Sequence, residues 1–511
     1  MKVAKSLLFG SAAGLISLAG AHAADLPVKA KAVEYVKICS LYGAGFYYIP
    51  GSDTCIKLSG YLRVHTTLNA NADAYVPDNG VGAARNRLSN YYTARAREML
   101  SIDTRTATEY GVVRTYFMGW FTWTSGSYAG AGTGLTGGAT AYSASNPAGS
   151  GSGQVAGGQL GVPYAFIQFA GFTMGKATSQ FSTPWAQYPA NVTELPGSGG
   201  WDPVNQFTYT ADFGQGITAS FSAQDQVQNY TTNIWNVGAA TTTGLATGTY
   251  GANDIGGSRA PDLVASLRVD QAWGLFQASV AAHDNHVGYY GATEDTGYPS
   301  DKWGWAGQLA LSIKNVPTGA GDTINLTGVY ANGASRYTFN DYMSSTYARY
   351  GGTTLAGAYQ SVGFAGLSDA VFVAGAGQQL TTTYGFNAGY THNWDPHWWT
   401  SIFGGWGAVR YNGTAKGYIC GALVTSLALS GGAAGCNPDF NYVTLGTHTA
   451  WTPVKGLTFG VELIYNLLDQ KYASGSTVTL PVQSSVAKPA GLYELKDQGA
   501  LSLLLRAQRS W

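Results

Sequence analysis

Read with a period of two, the stretch from Glu494 to Trp511 separates into two faces. Leu495, Gly499, Leu501, Leu503, Leu505, Ala507 and Trp511 share one, and Lys496, Gln498, Ser502, Arg506 and Gln508 share the other. In 56–68, Ile56, Leu58, Leu62, Val64 and Leu68 are likewise set against Lys57, Ser59, Tyr61, Arg63, His65 and Thr67, and similar alternation runs through 217–224, 303–314 and 457–466. Such alternation marks strands with one face in an apolar medium and the other in water. With these segments as the parity standard and Gly, Pro, Asn and Asp clusters as boundaries, sixteen strands are predicted. They lie near 56–68, 91–105, 110–120, 162–170, 172–179, 205–213, 217–226, 262–270, 275–284, 303–315, 323–333, 380–393, 399–412, 440–451, 457–468 and 494–511.

The connections alternate in length. Ala170-Gly171, Gly214-Gln215-Gly216, Trp273-Gly274, Asp395-Pro396-His397 and Pro453-Val454-Lys455-Gly456 are short, and Trp273, Trp394, Trp398, Trp399, Trp451 and Trp511 sit at or beside such turns or the chain end. Tryptophan there suits a membrane interface. A soluble sandwich would need a second sheet in similar register to cover the apolar faces, and none is available. A closed barrel leaves no backbone group unpaired in hydrocarbon, and an even count returns the last strand to the first. The expected fold is therefore all-β: a transmembrane antiparallel barrel of 16 strands, with short periplasmic turns and long extracellular loops in the outer membrane of a bacterium.

Composition agrees: 70 Gly, 34 Tyr and 14 Trp in 511 residues, with 11% charged, is poor in helix formers. Mean hydropathy of −0.05 hides a barrel's membrane character because inward and outward residues alternate. Lys2 and Lys5 precede an apolar run from Ser6 to Ala19 and the small-residue site Ala21-His22-Ala23, which reads as a signal peptide over 1–23, followed by one barrel domain over 24–511. The run is shorter than the roughly 20 residues of a spanning helix. Removing Lys2 and Lys5 from 28 basic residues leaves 26 against 28 acidic ones. No basic tract points to nucleic acid.

Four cysteines form two local groups with equal spacing, Cys39 with Cys55 and Cys420 with Cys436. In an exported chain this reads as two local disulfides, each removing about 3 kcal/mol of unfolded-state entropy in the chain-entropy description. Spacing alone leaves pairing across the groups open. No Cys-x-x-Cys or nearby His supports a metal site.

A sixteen-stranded barrel encloses an aqueous channel, so a sieving pore needs a loop folded inward. The segment Ser179–Asn205, after the fifth strand, carries suitable turn residues together with Glu194 and Asp202 as its only carboxylates. On the wall, Arg63, Arg95, Arg97 and Arg114 take inward parity. Arginines facing this third loop would set a transverse field across a constriction. Glu98 falls on the outward face, which means a bulge, a subunit-interface residue or a different register. The long segments 121–161, 227–261, 335–379, 413–439 and 469–493 are rich in small residues and expected to be functional or mobile. Gly132, Gly134 and Gly137 match G-x-G-x-x-G, without a β-α-β context that would make it a nucleotide site. His283 with His286, and His392 with His397, lack metal-site spacing. No catalytic, cofactor or metal residue is assigned.

Three stretches carry a resemblance. Lys37-Ile38-Cys39-Ser40-Leu41-Tyr42-Gly43-Ala44-Gly45-Phe46-Tyr47-Tyr48-Ile49-Pro50, continuing through Cys55-Ile56-Lys57-Leu58-Ser59-Gly60-Tyr61-Leu62-Arg63, resembles the N-terminal signature of the alphaproteobacterial general porins. So do 165–176 and the close at Arg506-Ala507-Gln508-Arg509-Ser510-Trp511, although the terminal Trp departs from the more usual Phe. The resemblance implies a homotrimer of sixteen-stranded barrels in outer-membrane lipid, with the third loop in each pore, passing small hydrophilic solutes and ions. The expected function is thus a water-filled passive diffusion channel without a cofactor. The alternatives are a substrate-selective channel, such as a sugar porin with an internal aromatic track, for which Tyr61, Trp185 and Trp406 are too few, and an outer-membrane barrel enzyme.

Overall fold

The computed structural model describes residues 37–69, 78–89, 91–124, 154–155, 158–200, 203–226 and 230–511. The signal peptide expected at 1–23, Asp202 and the glycine match at 132–137 lie outside the described residues.

Antiparallel pairing carries the chain around a full circle of sixteen strands: β1 (Cys55–Leu68), β2 (Tyr92–Thr108), β3 (Gly111–Thr124), β4 (Gly158–Phe169), β5 (Phe172–Ala177), β6 (Val204–Asp212), β7 (Ile217–Gln224), β8 (Asp262–Gln271), β9 (Gly274–Asn285), β10 (Lys302–Lys314), β11 (Thr323–Asn332), β12 (Thr382–Asn393), β13 (Trp398–Arg410), β14 (Phe440–Val454), β15 (Leu457–Gln470) and β16 (Gln498–Ser510). β16 closes on β1 from Tyr61↔Ser510 to Leu68↔Leu503. At the seam Trp511 N donates to Gly60 O (3.1 Å), and Gly60 N to Trp511 O (3.3 Å). The terminal indole lies over Gly60, where a Cβ would come within 2.8 Å of it.

The faces follow the period-two reading. Leu62, Phe221, Val280, Leu309, Phe386, Ile402, Leu445 and Leu505 are exposed on the outside, and Gln206, Thr208, Ser222, Gln277 and Gln308 are buried inside. Three particulars differ or resolve. Leu495 belongs to a separate loop strand, Gly491–Leu495, paired with Thr477–Leu480, because Lys496-Asp497 interrupts the pairing before β16. Trp406 faces outward beside Phe386, with ring centroids 5.9 Å apart, so it lines no interior track. Glu98 pairs with Leu62 and Phe121 in unbroken register on both sides; neither a bulge nor a register slip accounts for its outward position.

The short turns gather at one end. At the β4–β5 hairpin Ala170 (φ 49°) and Gly171 (φ 85°) are both left-handed, the geometry that suits strand twist in a two-residue loop. Of the long segments expected to be functional or mobile, most of 121–161 lies outside the described residues, and the others are organised at the opposite end of the barrel. Segments of 225–261, 333–381, 411–439 and 471–497 build two four-stranded sheets and a helix, α1 (Gly413–Leu427). Together they share a buried core that includes Trp235, Tyr250, Tyr347, Phe364, Ile419, Leu423 and Val478. The small-residue composition concealed this because the aromatics are widely spaced along the sequence. Asn412 caps α1 by accepting from Ala415 N (2.9 Å).

The disulfides are Cys39–Cys55, at the foot of β1 against Phe46, and Cys420–Cys436, from α1 to the following segment. Since the barrel's ladder does not depend on the second bond, its reduction should raise amide exchange in 413–436 while leaving β1–β16 protected. Hydrogen exchange with and without reductant checks this; equal protection of 413–436 in both states would contradict it.

Candidate constriction site

β5 is short, and the segment after it turns into the lumen. From Thr178 to Gly200 it runs along the inner wall, and a series of wall strands offers polar side chains to it. Ser179 Oγ donates to Gln224 Oε1 on β7 (2.7 Å), and Gln308 Nε2 on β10 donates to Phe181 O (2.7 Å). Trp185 Nε1 donates to Thr327 Oγ1 on β11 (2.8 Å), Asn387 Nδ2 on β12 to Ser198 Oγ (3.0 Å), and Ser401 Oγ on β13 to Ala190 O (2.5 Å). The last anchor is Glu462 on β15, fully buried, which accepts from Val192 N (2.9 Å) and Thr193 Oγ1 (2.6 Å) and sits 3.0 Å from His448 Nδ1. Gly197 (φ 90°) permits the closest approach, since a Cβ there would collide with the Phe386 backbone.

A second loop follows the third one in. Gly197 N donates to Thr338 O (2.9 Å), Asn340 Nδ2 donates to Leu195 O (2.9 Å), and Tyr337 packs on Phe181 with ring centroids 4.5 Å apart. Both loops are thus held to the β7–β15 side, facing β1–β4 and β16. Between them lies a cavity of about 510 Å³, lined from the wall by Tyr61, Arg63, Arg95, Arg97, Met118, Trp120, Tyr164 and Arg506, and from the loops by Pro184, Trp185, Tyr188, Val192, Glu194 and Tyr342.

Of the residues expected at a constriction, Arg63, Arg95, Arg97 and Glu194 meet at this one cavity. Arg63 Nε donates to Gln508 Oε1 (2.8 Å) and its guanidinium lies 4.4 Å from the Tyr61 ring centre. Arg97 Nε donates to Thr122 Oγ1 (2.8 Å). Glu194 is buried and accepts from Tyr188 Oη (3.2 Å). Arg114 does not join them. It forms a cluster at the short-turn end, bonding Asp103 (3.0 Å) and Gln168 (2.9 Å), with Arg105 on the same carboxylate (3.0 Å). Its parity is inward, but Arg114 is eight residues along β3 from Thr122, the partner of Arg97, roughly 26 Å at ~3.3 Å per residue. Parity gives the face and not the height.

The sequence reading left three contributors unassigned. Arg506 was already on the polar face of the last strand, and its Nη2 donates to Val192 O (3.4 Å). Glu462 shares the polar face of its strand with Thr458 and Asn466, and nothing in that pattern distinguishes it; only its partners do. Tyr342 comes from the second inward loop, for which no pattern gave a signal. The histidines considered for chemistry have separate partners: His283 with Asp262, His286 with Asp301, His392 with Asp322 and His397 with Thr452 O.

A closed barrel of sixteen strands with an apolar outer belt, aromatic rims and a charged lumen narrowed by loops has the architecture of an outer-membrane channel. The chain belongs to the Porin subfamily, whose model matches residues 25–504. It is 30% identical over 285 residues to Porin Omp2b of Brucella canis and of Brucella abortus, a match covering 55% of this chain and 66% of those proteins. In three dimensions it is similar to the outer membrane channel DcaP of Acinetobacter baumannii, with a TM-score of 0.56 over 91% of this chain and 99% of that one; at 15% identity this likeness is one of fold. The protein resides in the bacterial outer membrane.

Proposed function

We propose that this chain forms a passive, water-filled diffusion pore for small hydrophilic solutes and ions, and that it carries out no reaction. The observation that supports this best is the shared cavity of Arg63, Arg95, Arg97 and Arg506 with Glu194, since charges across a narrow aqueous passage set ion preference. The assembly proposed is a homotrimer, resting on the family resemblance. The outward Glu98 on β2 and the outward Lys176 on β5, between Ala165 and Asn205, also support it: charges on a lipid face are costly unless a partner covers them. The aromatics Tyr61, Trp120, Tyr164, Trp185 and Tyr188 surround the same cavity as the arginines, an arrangement unlike a sugar-binding track.

Insertion of the purified protein into planar bilayers should give conductance that rises with salt and closes under high voltage in three equal steps. Absence of conductance would overturn the pore, and closure in a single step would overturn the trimer.

A further inference from the structure

The lumen carries a further group of cations at its short-turn end, away from the loops. Asp103 on β2 has both oxygens taken there: Oδ1 by Arg105 Nε (3.2 Å) and Arg114 Nε (3.1 Å), Oδ2 by the Nη2 of each (3.0 Å). Directly opposite Asp103 across the β1–β2 ladder stands Lys57. An opposed Lys and Asp would ordinarily pair and support the ladder. With the carboxylate occupied by two arginines, Lys57 makes no hydrogen bond or ion pair among the described residues. Three cations against one carboxylate leave two positive charges in excess on this arc of the wall.

The loop closed by Cys39–Cys55 holds these charges in place without cancelling them. Lys57 Nζ and the Arg105 guanidinium lie 5.9 Å and 4.9 Å from the centre of one ring, that of Phe46, and Arg105 also lies 5.7 Å from the Tyr42 ring. A ring face attracts a cation and leaves its charge intact. Gly45 makes room for the lysine stem, since a Cβ there would come within 3.3 Å of Lys57 Cε. Elsewhere on the same rim, Asp270 on β8 is paired with Lys314 on β10 (3.0 Å), and Asp212 accepts from Gly214 N at its own turn (2.8 Å). Along β1, Lys57 is six residues from Arg63, roughly 20 Å at ~3.3 Å per residue. That is about two Debye lengths at 0.1 M salt, so the two groups of cations act on a passing ion one after the other.

Building on the reading of this protein as a conducting pore, we propose that Lys57, with the Arg105–Asp103–Arg114 cluster behind it, forms a second anion station at the periplasmic mouth, in series with the constriction and concentrating small anions there. Salt screens a mouth charge chiefly from its own side, so the station is exposed by the direction of a salt gradient. The probe is potassium chloride at about 0.01 M against about 0.1 M, where the Debye length is ~30 Å and ~10 Å. Each single channel of the full mature protein is measured with the gradient in both directions. Wild type should give two different permeability ratios, with anions preferred more strongly when the dilute solution bathes the short turns. Lys57→Ser should lower the larger anion preference about twofold and leave the smaller one unchanged, whereas Lys57→Arg should keep both. Equal ratios in the two directions for wild type, a difference that survives in Lys57→Ser, or a fall in both ratios alike would each overturn the second station and leave the pore standing. A wild-type protein that inserts and does not conduct would overturn the pore itself.

Discussion

Replacing Arg63 and Arg95 together by serine should move the reversal potential in a salt gradient toward cations. Both side chains line the same lumenal cavity as Glu194, the proposed constriction. At a distance of ~8 Å in a water-like medium, each unit charge contributes about 0.5 kcal/mol to a passing ion, with opposite sign for anion and cation. Losing two of them changes the cation-to-anion permeability ratio by roughly tenfold once screening is included. The shift should be larger in dilute than in concentrated salt, because a Debye length of ~10 Å at 0.1 M shrinks to ~3 Å at 1 M. Arg114→Ser serves as the internal comparison: its charge sits on Asp103 at the short-turn end, so it should produce a smaller shift. Selectivity unchanged in the double variant at low salt, in channels that insert and conduct, would mean that these arginines do not set the field.

Glu462→Ala should free the third loop without opening the barrel. The substitution strands Val192 N, Thr193 Oγ1 and His448, all of which now meet one buried carboxylate. Breaking a buried charged arrangement of this kind costs about 3–5 kcal/mol, whereas the inter-strand ladder on both sides of β15 is untouched. The expected readouts are noisier, larger single-channel currents and new protease cleavage within 178–200, with heat resistance of the barrel retained. Glu462→Gln keeps an acceptor oxygen and should fall between wild type and alanine. Wild-type current noise together with full protection of 178–200 in the alanine variant would show that Glu462 is not the anchor.

The fold was legible because a barrel wall imposes one rule everywhere, apolar out and polar in, and that rule survives in sequence as strict alternation. It located sixteen strands and assigned Arg63, Arg95 and Arg97 to the inside. It also placed Glu98 outside, against chemical expectation, and the unbroken ladder agrees. The alternation carries no information along the strand axis, which is why Arg114 was grouped with arginines well removed from it. Nor does it speak for segments outside the wall. The inward course of the Ser335–Tyr342 stretch, and the cap core joining Trp235, Tyr347, Phe364 and Ile419, depend on contacts between loops more than a hundred residues apart. A Gly- and Ser-rich sequence gives no local periodicity from which to read them. Glu462 shows the same limit from the other side: an inward carboxylate is ordinary in a wet barrel, and only the loop that crosses to it makes it an anchor.

The third loop is synthesised early, and its docking partners come late. Between Ala177 and Val204 the chain has completed five strands, yet the side chains that hold it lie on β7, β10, β11, β12, β13 and finally β15. The wall facing it includes Arg506 on the last strand of all. On the proposed reading of this cavity as the constriction, the narrowing of the channel is a terminal event in biogenesis. A barrel still open at its β1–β16 seam lacks one side of this cavity, which is completed only when the final strand, with Trp511 against Gly60, pairs with β1.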